Sequence, residues 1–394
     1  MSLARNVDLL RRLPRLELDG LRFPDFGPSA DASSPLQEVT GFGSNPGALR
    51  MFAFVPAQLQ KQRALVVVLH GCGQTAAAYD LGAGWSTLAR HYGFALLMPE
   101  QQRINNGNTC FNWFTPEDTA RNSGEARSIR EMIAHLVEAH RIDPRRIFIT
   151  GLSAGGGMTS VMLATYPDVF AAGAVIAGLP YGIASNLREA LDGMFHSPVR
   201  PARELGDLVR KASSHRGPWP KVSVWHGSAD RTVNPGNSNE IVKQWLDLHG
   251  LPAVPMAETN VDGYPRQAWW NKNGETLVES YAITGMAHGT PLGIAENDQR
   301  YGLEGAFLIE AGISSSYHIA KFFGLTGWIP DAAKKAEATP AAVVQPKLSP
   351  APHLARSIRA AVADEQAKPK REKKRGFDIG EIITRALTAA GLMK

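Results

Sequence analysis

Short apolar runs recur along the middle of the chain and alternate with stretches whose apolar residues are spaced as on one helix face. Six runs have the length of strands: ALVVVLHG from Ala64, FALLMPE from Phe94, RIFITG from Arg146, AAGAVIAG from Ala171, KVSVWHG from Lys221 and LVESYAIT from Leu277. Uninterrupted apolar runs are typical of strands buried on both faces of a parallel sheet. The alternation predicts an α/β protein with a mostly parallel central sheet flanked by helices.

The stretches between the runs differ in regularity. The segment from Gly124 to His140 places Ile129, Ile133 and Leu136 on one face, which predicts a helix. Two longer gaps, about 179–220 and 250–276, lack strong periodicity. Gaps of this length in such folds often carry lids or pocket walls.

Composition divides the chain into four predicted parts. We expect an N-terminal segment over 1–48, one α/β domain over 49–330, an Ala/Pro/Lys-rich basic linker over 331–376 and a short amphipathic helix over 377–394. The whole chain has a formal net charge of +5, but from residue 331 onward 13 Lys and Arg face 7 Asp and Glu. The remaining 29 against 30 leave the body near neutrality, so the basic character belongs to the tail.

One motif in the third apolar run carries chemistry. Gly151-Leu152-Ser153-Ala154-Gly155 follows a strand and opens a predicted helix that continues to about Tyr166. G-x-S-x-G between a strand and a helix is typical of a nucleophilic serine, because the sharp turn exposes the hydroxyl. An ordinary glycine-rich turn is the alternative. The context favours Ser153 as the nucleophile.

A nucleophilic serine needs a base and an acid, which in the α/β-hydrolase arrangement follow it in the order acid, then base. Asp230 stands in a polar turn after the KVSVWHG strand, and His288 stands between glycines after the LVESYAIT strand. The order Ser153, Asp230, His288 therefore predicts a catalytic triad. Less suitable candidates either lie in helical stretches or precede the acid, and they are Asp247, His318, His196, His215 and His226, the last assigned to the turn's own hydrogen bonding.

Backbone amides are expected to stabilise a developing oxyanion. The N–H of Ala154 directly follows the nucleophile, and the loop after the VVVLH strand places the N–H of Cys72 between two glycines. We predict these two amides as the oxyanion donors. No metal or organic cofactor is implied.

Six motifs together resemble the polyhydroxybutyrate depolymerase-type esterases, a family that also contains feruloyl and acetylxylan esterases. They are LHGCGQTAAAYD, GWSTLARHYGFALLMPEQ, NTCFNWF, the long stretch from DPRRIFITGLSAGG to AGAVIAG, WHGSADRTVNPGN and GMAHGTPL. The resemblance covers about residues 49–324 and implies an α/β-hydrolase fold and a serine esterase. It carries the catalytic roles onto Ser153, Asp230 and His288, and an oxyanion role onto Cys72.

The two cysteines of the chain, Cys72 and Cys110, both lie in motifs of this family. A disulfide between them would tie the oxyanion loop to the NTCFNWF segment, and two free thiols in a reducing compartment are the alternative. Aromatic side chains in that segment and before the last predicted strand are candidate substrate contacts, namely Trp113, Trp269 and Trp270.

Location and partners are less defined. Family members are usually extracellular, whereas the first residues show no uncharged core of a secretory signal, so a cytoplasmic location is the alternative. No apolar run reaches the ~18 residues expected of a membrane span. The basic run KPKREKKR beside an amphipathic stretch is compatible with contact to a granule or anionic membrane surface, and a solvated tail is the alternative. No nucleic-acid motif is present, so no nucleic-acid partner is expected.

The sequence thus predicts a serine esterase acting on short-chain polyhydroxyalkanoate, poly-3-hydroxybutyrate or its oligomers. A feruloyl or acetylxylan esterase is the alternative within the family. A granule- or membrane-binding protein that acts through its tail is the alternative from another class.

Overall fold

The computed structural model describes residues 34–328, and the predicted linker and C-terminal helix lie outside them. Ten strands form one sheet and two form a small second one: β1 Gln37–Val39, β2 Arg50–Phe54, β3 Leu65–Leu69, β4 Ala95–Glu100, β5 Ile147–Leu152, β6 Ala172–Ile176, β7 Lys221–Gly227, β8 Ala257–Val261, β9 Tyr264–Trp270, β10 Thr276–Ile283, and then β11 Thr290–Leu292 with β12 Leu308–Glu310.

Helices occupy the connections between these strands. They are α1 Ala76–Ala83, α2 Trp85–Tyr92, α3 Pro116–Thr119, α4 Gly124–His140, α5 Ala154–Thr165, α6 Leu187–His196, α7 Ala202–Ala212, α8 Gly236–His249 and α9 Ser315–Phe322. Local capping accounts for several ends. The side chain of Thr75 accepts from the Ala78 amide at the start of α1, and Gly250 ends α8 with a φ of 64°.

The large sheet has the order β1-β2-β4-β3-β5-β6-β7-β10-β9-β8. Strands β4, β3, β5, β6, β7 and β10 are mutually parallel, and antiparallel strands extend both edges. This confirms the predicted α/β architecture with a mostly parallel sheet, and all six predicted strands are present. Since parallel strands all end at one edge, loops that follow β3, β5, β7 and β10 meet there.

Strand β3 shows how the two cores divide. Leu65, Val67 and Leu69 join the cluster that packs α4, α5 and α8 against one face of the sheet. Val66 and Val68 join the cluster that packs α1, α2 and α9 against the other face. Because alternate side chains of a strand point to opposite faces, a continuous apolar run is what a doubly covered strand requires.

The structure adds two features to the predicted organisation. Strand β1 lies before Leu49 and pairs with β2, so the folded domain begins earlier than predicted. The two gaps without periodicity contain helices α6 and α7 and the hairpin of β8 and β9. Pairing with the sheet organises that hairpin, whose strands are mostly exposed or half-buried and lack a strong apolar pattern.

Gly155 allows α5 to approach the end of β3. A Cβ built on it would lie 2.4 Å from the carbonyl oxygen of Leu69 and 2.5 Å from that of His70. Both contacts are with backbone, so a side chain here would force the helix away from the sheet.

We therefore expect Gly155→Ala to lower the free energy of unfolding by about 1–3 kcal/mol, the usual cost of overpacking. Gly107→Ala is the matched control, since a Cβ there meets nothing within 4 Å. Urea denaturation of the two variants and the wild type measures the difference. Equal stability of both variants would contradict the packing argument.

Candidate active site

Ser153 lies at the turn between β5 and α5 in a strained backbone conformation, with φ 59° and ψ −119°. Its amide donates to the carbonyl of Ile176 at 2.9 Å, which holds the turn against the end of β6. Position 151 requires glycine because the Gly155 carbonyl oxygen approaches it closely, and a Cβ there would lie 2.4 Å from that oxygen. A half-buried serine on such a turn projects its hydroxyl from the sheet edge, as a nucleophile must.

The Asp230 carboxylate is fully buried and receives four hydrogen bonds. The amides of Thr232 and Val233 donate to Oδ1 at 2.8 and 2.9 Å. His288 Nδ1 lies 2.6 Å from Oδ2, and His226 Nε2 lies 3.1 Å from the same oxygen. Burial alone would raise the pKa of the Asp230 carboxyl, but the hydrogen bonds from His226 and His288 outweigh it and hold the pKa below its usual range.

This ionised carboxylate determines the tautomer of His288. A carboxylate only accepts hydrogen bonds, so Nδ1 of His288 carries a hydrogen and donates a hydrogen bond to Asp230 Oδ2. Nε2 then presents a lone pair, which is the form a general base requires. The contact with Asp230 thus fixes one ring nitrogen of His288 and leaves Nε2 as the nitrogen that could act as a base.

Backbone contacts join the loop of Asp230 to the loop of His288. The amide of Ser228 donates to the carbonyl of Ile283 at 2.9 Å, and the amide of Ala229 donates to that of Met286 at 3.0 Å. The Gly285 amide donates to Ser228 Oγ at 2.9 Å. Since β7 and β10 are neighbouring parallel strands, these contacts extend their pairing into the two loops.

His70 shapes the loop after β3. It is fully buried, its Nε2 accepts from the Gln101 amide at 3.1 Å, and its Nδ1 donates to the Gly71 carbonyl at 2.8 Å. Burial lowers the pKa of His70 to about 4, so the ring is neutral at pH 7. Two residues after His70, Cys72 forms a disulfide with Cys110 and closes a loop with a sequence separation of 38.

A buried polar network lies beneath this loop. The Gln101 side chain donates to Glu125 Oε1 and to the carbonyl of Cys110, and the Asn112 amide donates to Glu125 Oε2 at 3.0 Å. Burial, with the nearby Asp118 carboxylate, raises the pKa of Glu125 to about 8. The network and the disulfide both tie the His70 loop to the segment that carries Trp113.

The structure separates the three predicted aromatic contacts. Trp113 packs over the first turns of α5, since a Cβ on Gly157 would lie 2.7 Å from its ring. Trp270 instead pairs with Thr276, the first residue of β10, and Trp269 is 2% exposed in the core. His288 follows the other end of β10, an eight-residue strand that spans more than ~20 Å. Trp269 and Trp270 therefore lie at the wrong edge of the sheet to contact a substrate at Ser153.

The remaining histidine and aspartate candidates have other partners. His318 Nε2 lies 2.8 Å from Asp262 Oδ2, and Asp247 pairs with Arg210. Side chains of α6 and its preceding loop line a cleft of about 1390 Å³ that includes none of Ser153, Asp230 and His288. Within residues 34–328, no group of three or more His, Cys, Asp or Glu is placed to bind a metal ion, and no helix has the length and apolar character to span a membrane.

Two residues of the site were not predicted from sequence. His70 stands in the LHGCGQ motif, but only the fold shows that it hydrogen-bonds the Gly71 carbonyl. The sequence does assign His226 to the hydrogen bonding of its own turn, and its Nε2 lies 3.1 Å from Asp230 Oδ2 and 3.0 Å from the Val233 carbonyl. Phe307 lies in an irregular stretch, and its ring packs edge-on against His288 at a centroid distance of 5.8 Å. No periodicity in that stretch could have indicated it.

Comparison with known proteins shows that this chain is similar to esterases. A family model described as "Esterase PHB depolymerase" matches residues 50–261. Poly(3-hydroxyalkanoate) depolymerase C of Paucimonas lemoignei is 46% identical over 300 residues, which cover 76% of this chain and 72% of that protein. Feruloyl esterase B of Neurospora crassa is 33% identical over 270 residues, 65% of this chain and 88% of its own length.

A solved structure agrees in fold. Acetyl xylan esterase from Aspergillus awamori is similar with a TM-score of 0.61 and 25% sequence identity, over 74% of this chain and 99% of that one. These similarities confirm the resemblance inferred from the six motifs and the α/β-hydrolase fold.

The buried Glu125 carboxyl should make the free energy of unfolding depend on pH. In the folded protein its carboxyl keeps a proton up to about pH 8, whereas its ordinary value is 4.5. Between these pH values, unfolding therefore releases a proton from Glu125. The stability that the protonated carboxyl contributes below pH 4.5 is lost as the pH rises to about 8. We expect wild type to lose stability relative to Glu125→Gln between pH 5 and pH 9, measured by urea denaturation.

Glu138→Gln, on the exposed face of the same helix, is the control and should keep a constant difference from wild type. A pH-independent difference between wild type and Glu125→Gln would show that Glu125 is ionised in the folded protein throughout this range.

Proposed function

This chain belongs to the esterase PHB depolymerase family, and we propose that it is a serine esterase that cleaves short-chain polyhydroxyalkanoate, poly-3-hydroxybutyrate or its oligomers. Its relatives are carboxylic ester hydrolases, and so is this protein. The observation that supports the mechanism is the buried Asp230–His288 pair at the sheet edge where Ser153 occupies its strained turn.

In the proposed acylation, Ser153 Oγ attacks the carbonyl carbon of the ester while His288 Nε2 takes the hydroxyl proton. Asp230 stabilises the imidazolium that forms. The tetrahedral intermediate then expels the alcohol, which receives that proton from His288. Water repeats the sequence on the acyl-enzyme, and the carboxylic acid leaves with Ser153 restored.

Two backbone amides are assigned to the oxyanion. The Ala154 N–H begins α5, where the first amides have no carbonyl one turn earlier to bond. The Cys72 N–H belongs to the same peptide as the Gly71 carbonyl, which accepts from His70. Because N–H and C=O of a trans peptide point in opposite directions, His70 directs the Cys72 N–H away from itself.

The proposed substrate class rests on the different sequence identities of this chain to relatives named for different esters. Identity is 46% to a poly(3-hydroxyalkanoate) depolymerase, against 33% to a feruloyl esterase and 33% to an acetylxylan esterase. We therefore favour a hydroxyalkanoate ester over a ferulate or an acetylated sugar. The latter two are the alternatives that a substrate panel distinguishes.

Replacing the nucleophile tests the reaction. We expect Ser153→Ala to reduce hydrolysis of p-nitrophenyl butyrate by on the order of 10⁶-fold, the scale seen when a triad serine is removed. Ser160→Ala is the matched control, because Ser160 is a buried serine on the same helix. Activity retained in Ser153→Ala would refute the proposed nucleophile.

The same preparations assayed on 3-hydroxybutyrate oligomers, methyl ferulate and acetylated xylan identify the substrate class. Highest kcat/KM on the oligomers supports the proposal. Higher kcat/KM on either plant ester would replace it with that alternative, provided that activity still depends on Ser153.

Asp230→Asn tests the orienting role of the acid. An amide can donate to His288 Nδ1 and stabilise the wrong tautomer, so we expect kcat to fall by on the order of 10⁴-fold. Asp262→Asn offers a matched control, since Asp262 pairs with His318 in another aspartate–histidine contact. Similar losses in both variants would mean that the effect is one of stability rather than of catalysis.

A further inference from the structure

The segment 305–307 bridges the oxyanion loop and the loop of the base. Gln74 accepts from the Gly71 amide at 2.9 Å and donates through Nε2 to the Ala306 carbonyl at 3.2 Å. The next carbonyl, that of Phe307, accepts from the Thr290 amide at 2.8 Å, two residues after His288. Phe307 is therefore held from both sides of the proposed reaction centre.

Its backbone is strained. Phe307 has a φ of 62°, in the left-handed region that bulky side chains rarely adopt. Glycine would occupy this conformation without penalty, yet the chain places a half-buried aromatic residue there, directly before β12. Strain that the surrounding contacts maintain is more often found at functional sites than elsewhere.

The ring lies beside the imidazole that would protonate the departing alcohol. Its centroid lies 5.8 Å from that of His288, with the two planes at 77°. In an acyl transfer by Ser153, His288 donates its proton to the alkoxy oxygen, so the alcohol part of the ester lies beside the imidazole. The acyl part extends from the serine instead.

From this geometry we propose that Phe307 contacts the leaving alcohol and determines which alcohols the enzyme accepts. The inference rests on the proposed function, since it requires an acyl-enzyme on Ser153. In this proposal Phe307 contacts the alcohol part of the ester and not the acyl part. Acylation should therefore depend on Phe307, whereas hydrolysis of the acyl-enzyme by water should not.

The test varies the alcohol at a constant acyl group. We would measure kcat/KM of wild type, Phe307→Leu and Phe307→Ala on methyl, butyl and benzyl butyrate. The ratio of wild type to Phe307→Ala should be near one for the methyl ester and about tenfold for the butyl and benzyl esters. Across methyl esters from acetate to octanoate, that ratio should stay constant.

Partition of the acyl-enzyme gives a readout that is independent of how much protein is folded. With methyl butyrate as donor, added 1-butanol competes with water for the butyryl-enzyme and produces butyl butyrate. We expect Phe307→Ala to lower the yield of butyl butyrate relative to butyric acid several-fold, because the entering alcohol uses the site of the leaving one. An unchanged partition would overturn the proposal.

Two controls separate specificity from structure. Phe322→Leu removes an equally half-buried aromatic that contacts Lys221, the first residue of β7 at the far edge of the sheet, and should leave the partition unchanged. Phe307→Gly relieves the strained φ but also removes the ring, and it should lower the partition as Phe307→Ala does. Lowered melting temperature with normal partition would assign Phe307 a purely structural role.

The failures of the two ideas differ. Ester hydrolysis that survives Ser153→Ala refutes the proposed function itself. Hydrolysis that requires Ser153 but shows no alcohol-dependent effect of Phe307, or an effect that follows acyl length, refutes only the inference about Phe307.

Discussion

The close approach of the turn after β5 to the end of β3 is the constraint on which the site depends. It exists because Gly155 lacks a Cβ, which would otherwise lie 2.4 Å from the Leu69 carbonyl oxygen. Within the turn itself, Gly151 leaves room for the Gly155 carbonyl oxygen in the same way. The approach gives Ser153 its strained conformation and brings the first amide of α5 beside the loop of His70 and Cys72. Nucleophile and proposed oxyanion donors are thus positioned by backbone contacts, and the side chains beneath them serve to keep that backbone in place.

The acid and the base are positioned by a second set of contacts. Within residues 34–328 no arginine or lysine pairs with the buried Asp230, and four hydrogen bonds compensate for the loss of water around its charge. Two come from its own turn, and one comes from His226 on the preceding strand. Only the fourth, from His288, belongs to the proposed reaction. A rigid carboxylate of this kind orients the imidazole without adjusting when the imidazolium forms, which is the advantage of a preorganised site.

The elements around the reaction centre are joined in a closed circuit. The disulfide and the Gln101–Glu125 network attach the oxyanion loop to the Trp113 segment, Gln74 attaches it to residue 306, and Phe307 attaches that segment to the loop of His288. Trp113 and Phe307 therefore lie on different arms of this circuit.

The six buried strands, helix α4 and the serine turn could be read from the sequence because each follows from local pattern: an apolar run, a helical period, or glycines around a serine. The order of Ser153, Asp230 and His288 was readable for the same reason, as each follows a recognisable strand. Tertiary structure alone decided that Trp269 and Trp270 lie at the far edge of the sheet, since an antiparallel hairpin reverses the chain there. It alone brought Gln101 to His70 and Phe307 to His288, because side chains distant in sequence, or on a turn without periodicity, meet only when the strands pair.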